Sequence, residues 1–249
     1  MEPFVHSINH NGLGIIEFFS EKSNALPLSI LEQIANAVST ADADPNVKVI
    51  LLKSGGEKAF CAGASFEELA SIHDQASGLK FFSGFAEVIL RIRAARKIVI
   101  GRIHGKAVGG GVGLAAACDY ALATRYASVR LSELAVGIGP FVIGPAVERK
   151  IGLAAFSQMA LSPTEWQSAE WAKQRGLYQE AFETTQQLDE YIVYFTSQLM
   201  HYNPQALTAL KEVFWQGTGH WPALLKDRAA ISGSLVLSNF TREAISRFS

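Results

Sequence analysis

The chain has 249 residues, 49% of them hydrophobic, and a formal net charge of −1. This length and composition suffice for one large hydrophobic core, and the nearly neutral balance excludes a broad basic face of the kind that binds nucleic acid. The sequence does not open with the charged and then apolar segments of a signal peptide. Its uncharged run from Val108 to Cys118 is far shorter than the roughly 20 residues of a membrane span. We therefore expect a cytoplasmic protein without nucleic-acid or membrane partners.

Predicted strands and helices alternate over the first three quarters of the chain, and the last quarter is helical. Strands are predicted at residues 4–8, 13–19, 47–52, 97–103, 121–123, 129–131 and 177–182. Helices are predicted at residues 28–41, from 66, and at 81–92, 112–118, 144–150, 162–175, 185–200, 204–215, 222–232 and 238–248. The segments 23–27 and 59–65 are expected to form loops. This order predicts an α/β core followed by a helical C-terminal region.

Local signals support several of these boundaries. The segment Asn9-His10-Asn11-Gly12 has the composition of a hairpin turn. The segment Ser162-Pro163-Thr164-Glu165 combines a capping box with an early proline, and Gly176 suits the position after a helix end. Cys61 and Cys118 lie in apolar runs without the spacing of a metal site. We therefore expect two buried, reduced thiols and no bound metal ion.

The stretch from Ile98 to Glu133 holds the strongest functional signal. A predicted buried strand leads to Gly109, Gly110 and Gly111, where no Cβ blocks the approach of the backbone to a ligand. A short helix follows, and the first N–H groups of a helix lack partners and carry partial positive charge. This arrangement predicts a cradle for a developing negative charge, although tight packing alone would also account for the glycines. The dinucleotide pattern G-x-G-x-x-A is matched only loosely and in mid-chain, which disfavours a nucleotide site.

Several short motifs follow one another along the chain in a specific order and spacing. They are Asn24-Ala25-Leu26, Ala62-Gly63-Ala64, Gly109-Gly110-Gly111, Cys118-Asp119, Leu131-Ser132-Glu133 and Gly137-x-x-Pro140. Together they resemble the enoyl-CoA hydratase/isomerase (crotonase) superfamily over nearly the whole chain, with the closest pattern in methylglutaconyl-CoA hydratase-like members. The resemblance implies an α/β fold with a crotonase-like ββα spiral core at residues 1–187 and a helical C-terminal oligomerisation region at 188–249. It also implies a homotrimer or a dimer of trimers.

The same resemblance implies an acyl-CoA thioester as substrate, processed through an enolate, with no cofactor beyond the CoA of the substrate. The backbone N–H groups of Ala64 and Gly110 would form the oxyanion hole, in which each preorganised donor is typically worth ~3–4 kcal/mol. Contacts with CoA are implied for Lys22, Ala25 and Ala62. The Ala62 carbonyl would accept a hydrogen bond from the adenine.

Glu133 matches the family's second catalytic carboxylate, which transfers a proton at the substrate α-carbon. Burial that moves its pKa toward neutrality would suit this task. Gly113 stands where two-glutamate hydratases carry their first glutamate, and Ser65 stands where the family usually has Asp. If Gly113 leaves room for a water molecule, the change Gly113→Glu is expected to be tolerated sterically.

The resemblance leaves the reaction open between three classes of protein. The similar segments favour an enoyl-CoA hydratase, which is our first expectation. The single carboxylate instead suits a Δ3,Δ2-enoyl-CoA isomerase, which adds no water and is the alternative. A non-catalytic CoA- or RNA-binding relative is the remote third possibility, and the presence of Glu133 argues against it.

The remaining polar residues have simpler interpretations. His104 is expected to be a hydrogen-bonded structural histidine, and Asp119 is expected to hold a turn. Glu67 or Glu68 begins a helix near Ala64, and one of them could assist in activating water. The many large apolar side chains of the tail, residues 204–248, predict contacts between subunits.

Overall fold

The computed structural model describes residues 2–247. Its strands are β1 (Phe4–His10), β2 (Leu13–Phe19), β3 (Ala25–Leu26), β4 (Val49–Ser54), β5 (Ala59–Cys61), β6 (Gly63–Ala64), β7 (Val99–Ile103), β8 (Lys106–Val108), β9 (Tyr120–Thr124), β10 (Val129–Arg130) and β11 (Glu180–Phe182). Its helices are α1 (Glu21–Asn24), α2 (Leu28–Ala43), α3 (Phe66–Ser71), α4 (Gln75–Ala94), α5 (Gly110–Ala117), α6 (Gly144–Leu161), α7 (Ala169–Gln174), α8 (Thr185–His201), α9 (Pro204–Phe214), α10 (Trp221–Leu235) and α11 (Asn239–Ser246). A 3₁₀ helix spans Glu133–Val136.

The main sheet has the strand order β1-β2-β4-β7-β9-β11. Its first pair is the predicted antiparallel hairpin, and the other neighbours are parallel. Asn11 and Gly12 form the hairpin turn with φ values of 52° and 95°. Two left-handed residues are what a tight two-residue hairpin needs. The parallel pairs require crossovers, and the intervening helices supply them.

Two smaller sheets lie outside the main one, and they correct the prediction of loops at 23–27 and 59–65. Strand β8 lies between β5 and β10, and β3 pairs with β6, all in parallel. These strands have only two or three residues, too few to show the alternation by which a strand is recognised in a sequence. They form because more distant segments offer their backbone groups as partners.

Helices cover both faces of the main sheet. On one face α2 and α4 bury residues such as Ile34, Phe85 and Ile89 against the sheet in the larger core. On the other face α8 packs Leu188 and Ile192 in a smaller, separate cluster. Both cysteines are buried and free, as predicted. Apolar burial on both faces accounts for the nearly continuous apolar character of the central strands.

The helix predicted at residues 162–175 begins later than the capping box indicates. Helix α7 starts at Ala169, and Ser168 caps it by accepting a hydrogen bond from the Trp171 N–H at 3.0 Å. The residues before it are held elsewhere, because Gln167 and Val129 exchange two backbone hydrogen bonds of 2.9 Å. This bridge to β10 outweighs the local capping signal. The expected role of Gly176 is confirmed, with a φ of 85° just after the helix.

The C-terminal helices fold back onto the core of the same chain. Val213 and Phe214 of the tail are exposed, so the expected subunit contacts stay a prediction. Trp215, Trp221 and Leu225, by contrast, are at most 5% exposed. Their partners come from this chain's own core, which a sequence pattern does not reveal. The predicted end of the last helix at Phe248 lies outside the described residues. Among residues 2–247, no helix is both long and apolar enough to span a membrane.

Candidate active site

One pocket collects about half of the residues that the motifs single out. It is lined by Ala62, Ala64, Gly110 and Glu133, together with large apolar side chains from α4 and from the segment that precedes α6. Glu133 is the only ionisable side chain among the described residues of this lining, and Ser132 and Ser232 bring hydroxyl groups. The pocket is therefore apolar apart from one carboxyl group, two hydroxyls and backbone.

Glu133 begins the 3₁₀ helix and lies beside the first glycine of the glycine stretch. A Cβ atom on Gly109 would lie 2.8 Å from the Glu133 Oε1 atom, so the carboxyl group packs directly against the bare backbone. Part of the residue is accessible, but Oε2 is buried and has no hydrogen-bond partner in the described part of the chain. Burial raises the pKa of Glu133 to about 7. Near neutral pH this group therefore both gives and accepts a proton readily.

The backbone at Gly109 explains how two segments distant in sequence meet at the site. Its φ of 51° makes the sharp turn from β8 into α5 in a left-handed conformation that glycine adopts without strain. The Gly109 N–H donates to the Arg130 carbonyl at 2.8 Å. This bond holds the start of α5 against the end of β10, and Glu133 follows three residues later in the chain.

The two predicted oxyanion donors come from the end of β6 and the start of α5. Gly110 is the first residue of α5, so its N–H has no acceptor within that helix. The Ser65 N–H donates to the Leu26 carbonyl of β3 at 3.0 Å. Because successive N–H groups of a strand point to opposite sides, the Ala64 N–H faces away from β3. A Cβ on Gly63 would lie 3.6 Å from the Gly110 nitrogen, which shows how closely β6 and the start of α5 approach each other.

The space beside Gly113 is closed, which corrects the expectation that Gly113→Glu is tolerated. A Cβ at Gly113 would lie 2.3 Å from the Ile143 Cγ2 atom and 2.6 Å from its Cβ. Ile143 itself lines the pocket. The space that a side chain at position 113 would need is therefore filled by a branched apolar side chain that arrives just before α6.

The residues predicted to contact CoA are only partly brought together. Ala25 pairs with Gly63 across β3 and β6, and the Ala62 N–H donates to the Ser23 carbonyl at 3.1 Å. Ala62 lines the pocket, whereas Ala25 and Lys22 lie outside its lining. The Lys22 ammonium forms an exposed ion pair with Glu67. Lys22 is thus near the loop of Ala62 but not in the pocket.

The acidic residues at the start of α3 are engaged elsewhere, so the interpretation that one assists in activating water is not supported. The Glu68 carboxylate accepts a hydrogen bond of 2.7 Å from the Leu28 N–H at the start of α2. Glu67 pairs with Lys22 on the surface. Ser65 caps α3 by accepting from the Glu68 N–H at 3.4 Å. This capping role, which Asp fulfils equally well, accounts for the substitution at that position.

Asp119 has a structural role that is wider than a turn. Its carboxylate accepts hydrogen bonds from the Val99 N–H at 2.8 Å and from the Trp215 indole at 2.7 Å. The buried Lys211 ammonium lies 2.8 Å from the Asp119 Oδ2 atom, which is also the acceptor for the Val99 N–H. These contacts hold α9 against the sheet. Asp119 does not line the pocket.

His104 is buried at the end of β7 and does not line the pocket. The expectation of a hydrogen-bonded histidine is wrong, because neither ring nitrogen has a partner among residues 2–247. Burial, and then the charge of Arg102, lower the pKa of His104 to about 4. The ring is therefore neutral at physiological pH.

Sequence reasoning missed two residues that shape the site. Phe85 packs its ring where a Cβ of Gly110 would stand, and Ser232 reaches the pocket from α10. The apolar stripe on α4 identified Phe85 as a core residue, but no local pattern marks Ser232 as part of a site.

Comparisons with known proteins identify the family. Residues 9–236 match the family model described as enoyl-CoA hydratase/isomerase. The chain is 31% identical over 205 residues to the peroxisomal Delta(3,5)-Delta(2,4)-dienoyl-CoA isomerase of Arabidopsis thaliana, covering 76% of this chain and 72% of that protein. It is 33% identical over 167 residues to the mitochondrial methylglutaconyl-CoA hydratase of Mus musculus, covering 67% of this chain and 52% of that protein.

The fold is also that of solved members. The crystal structure of an enoyl-CoA hydratase from Bacillus halodurans superposes with a TM-score of 0.89 at 23% identity, over 98% of this chain and 99% of that one. The α/β fold with C-terminal helices is therefore confirmed as the crotonase fold. Because the family model spans most of the sequence, the chain belongs to the enoyl-CoA hydratase/isomerase family.

Proposed function

We propose that this protein hydrates an α,β-unsaturated acyl-CoA through an enolate of the thioester. The observation that carries the proposal is the position of Glu133 on an apolar pocket, with a pKa raised to about 7 by burial. The same pocket is lined by Ala64 and Gly110, whose N–H groups suit a developing thioester oxyanion. Hydratases of this family, such as the murine methylglutaconyl-CoA hydratase, support the choice of reaction.

A single carboxylate is sufficient for the proton balance of this hydration. The ionised Glu133 accepts a proton from water as the water oxygen forms a bond to the β-carbon. The electrons of the double bond move to the thioester oxygen, where the Ala64 and Gly110 N–H groups stabilise the negative charge. Glu133 then returns the proton to the α-carbon, and the carboxylate is regenerated. A carboxyl group with a pKa near 7 suits both halves of this relay.

Isomerisation is the second candidate, and the closed space at Gly113 favours it. An isomerase moves one proton between two carbons and needs no water, so the branched Ile143 side chain does not obstruct it. The same Glu133 carboxylate would take a proton from the α-carbon and return it to the γ-carbon. The similarity to a dienoyl-CoA isomerase of Arabidopsis thaliana also supports this class.

The lining of the pocket favours an uncharged acyl group. No Lys, Arg or His of residues 2–247 lines it. A distal carboxylate on the substrate would therefore be buried without a cationic partner, which is strongly unfavourable. Crotonyl-CoA should accordingly be a better substrate than a dicarboxylic enoyl-CoA.

A panel of enoyl-CoA substrates in heavy-oxygen water tests the proposal. We expect a 3-hydroxyacyl-CoA product that carries one solvent oxygen from a 2-enoyl-CoA. Conversion of a 3-enoyl-CoA to a 2-enoyl-CoA without any solvent oxygen in the product would overturn hydration in favour of isomerisation. Binding of the thioesters without turnover of any of them would reject both reactions and leave a CoA-binding protein.

We also infer that the protein assembles as a homotrimer or a dimer of trimers. Large apolar side chains that the chain leaves exposed support this inference, among them Leu153, Leu161, Val213 and Phe214. Exposed apolar groups of this number commonly mark contacts between subunits. Light scattering should give three or six times the chain mass of 27.0 kDa, and any other multiple, or an active monomer at micromolar concentration, would contradict the inference.

A further inference from the structure

Ser232 is an unpartnered polar group on the same pocket as Glu133. It is 1% exposed and lines the pocket from α10. Its hydroxyl makes no hydrogen bond to any other residue in 2–247. A buried helix hydroxyl normally bonds to its own helix, as the Thr196 Oγ1 does to the Ile192 carbonyl at 2.7 Å. A hydroxyl without such a bond is available to a ligand or a water.

The position of Ser232 is determined by a close crossing of two helices. A Cβ on Gly78 of α4 would lie 2.7 Å from the Gly233 carbonyl oxygen, and a Cβ on Gly233 would lie 2.7 Å from the Leu79 nitrogen. The two helix backbones therefore touch at the residue next to Ser232. Such a contact leaves α10 little freedom to rotate or withdraw. The hydroxyl is consequently presented to the pocket by a rigid support.

Hydration needs a second polar group in addition to the proton relay. The water must be oriented before Glu133 removes its proton, and in two-carboxylate hydratases the first glutamate shares this task. In this chain Ile143 occupies that space, because it would clash with any side chain at Gly113. The remainder of the lining is apolar apart from Glu133, Ser132 and backbone.

We propose that the Ser232 hydroxyl binds the attacking water and orients it toward the substrate β-carbon. This inference rests on the hydration proposed above. The hydroxyl both donates and accepts hydrogen bonds, so it holds a water without taking its proton. The proton passes to Glu133, and the water oxygen becomes the hydroxyl of the product. The C-terminal region thus adds a hydroxyl to the one that Ser132 brings to the pocket.

Two reactions of one variant test this role. In Ser232→Ala, kcat for hydration of crotonyl-CoA should fall by roughly 10- to 100-fold, as for loss of an orienting hydrogen bond, with KM little changed. Exchange of the α-protons of butyryl-CoA with deuterated solvent should be unaffected, since it needs Glu133 and the oxyanion donors but no attacking water. Ser232→Cys, which is slightly larger and forms only weak hydrogen bonds, should give an intermediate hydration rate.

The matched control is Ser234→Ala, a change of the same kind at an exposed position of the same helix. It should leave both rates unchanged. An equal loss of hydration and exchange in Ser232→Ala, or an unchanged hydration rate, would overturn the role of Ser232. Failure of hydration itself is distinguishable, because it appears in the unaltered protein before any variant is made.

Discussion

Two buried carboxylates flank helix α5, and their surroundings are opposite. Asp119 follows the end of the helix and is surrounded by donors: the Val99 N–H, the Trp215 indole and the Lys211 ammonium. Glu133 lies beside Gly109 at the start of the helix, and its Oε2 atom has no partner in residues 2–247. Burial raises the pKa of Glu133 to about 7.

This difference separates a structural acid from a chemical one. The charge of Asp119 is matched on every side, so it holds α9 to the sheet and has no capacity left for a substrate. The Oε2 atom of Glu133 has no hydrogen-bond donor beside it in residues 2–247. This lack is unfavourable for folding, but it keeps a proton-transferring group available in the pocket. Perturbed pKa values and unsatisfied groups concentrate at functional sites for this reason. Removing the charge of Glu133 should therefore lower the turnover rate, whereas removing the charge of Asp119 should lower the stability of the fold.

The largest expected effect is on catalysis. Glu133→Gln keeps the shape of the side chain but removes its ability to transfer a proton. The turnover rate should fall about 10²–10⁴-fold, the usual contribution of a positioned acid–base group, while acyl-CoA binding persists. The exposed Glu165→Gln serves as the control and should behave like the unaltered protein. Turnover at the normal rate in Glu133→Gln would remove this residue from the mechanism.

The corresponding change at Asp119 should affect stability instead. Asp119→Asn leaves the buried Lys211 ammonium without its counter-charge, and breaking such a pair typically costs about 3–5 kcal/mol. The free energy of unfolding should be measured in urea, with Glu183→Gln as the control. Glu183 pairs with Arg125, and both side chains are more than half exposed, so its loss should cost no more than about 1 kcal/mol. A folded Asp119→Asn protein that has lost its turnover would contradict the structural assignment.

Glu133 itself should reduce stability at high pH. Its folded pKa of about 7 lies above the ordinary value of 4.5, so the folded state binds the proton more tightly than the unfolded state. The stability present below pH 4.5 is therefore lost as the pH rises through 7. Glu133→Gln should be more stable than the unaltered protein by roughly 3 kcal/mol at alkaline pH, and equally stable in acid. A difference in stability between Glu133→Gln and the unaltered protein that does not change with pH would show that this carboxyl is not buried without a partner.

A smaller effect is expected at Gly113, on the same helix. Gly113→Ala places a methyl group against Ile143, and overpacking of this kind typically costs about 1–3 kcal/mol. The double variant with Ile143→Ala should be less destabilised than the sum of the single changes, because the second substitution removes the clashing atoms. Calorimetric unfolding of the four proteins measures this coupling. Additive effects would show that Ile143 does not close the space at Gly113.

Several elements of the fold were predictable because their signals are local. The hairpin turn at Asn11 and Gly12, the apolar stripe of α4 and the glycine turn into α5 each depend on residues that are close in the chain. Predictions were wrong where a distant segment provided the stronger partner. The capping box at Ser162 was overruled by the bridge between Gln167 and Val129, and the two-residue strands β3 and β6 exist only as a pair.

The candidate site divides in the same way. The order of the motifs indicated Ala64, Gly110 and Glu133, and the structure brings these residues to one pocket. The sequence by itself was enough to predict the glycine turn into α5 and to identify Glu133 as the candidate catalytic acid. Only the tertiary structure decided that Ile143 closes the space at Gly113 and that Ser232 enters from α10. The physical reason is that packing between distant segments depends on shape and burial in three dimensions, which local periodicity and spacing do not encode.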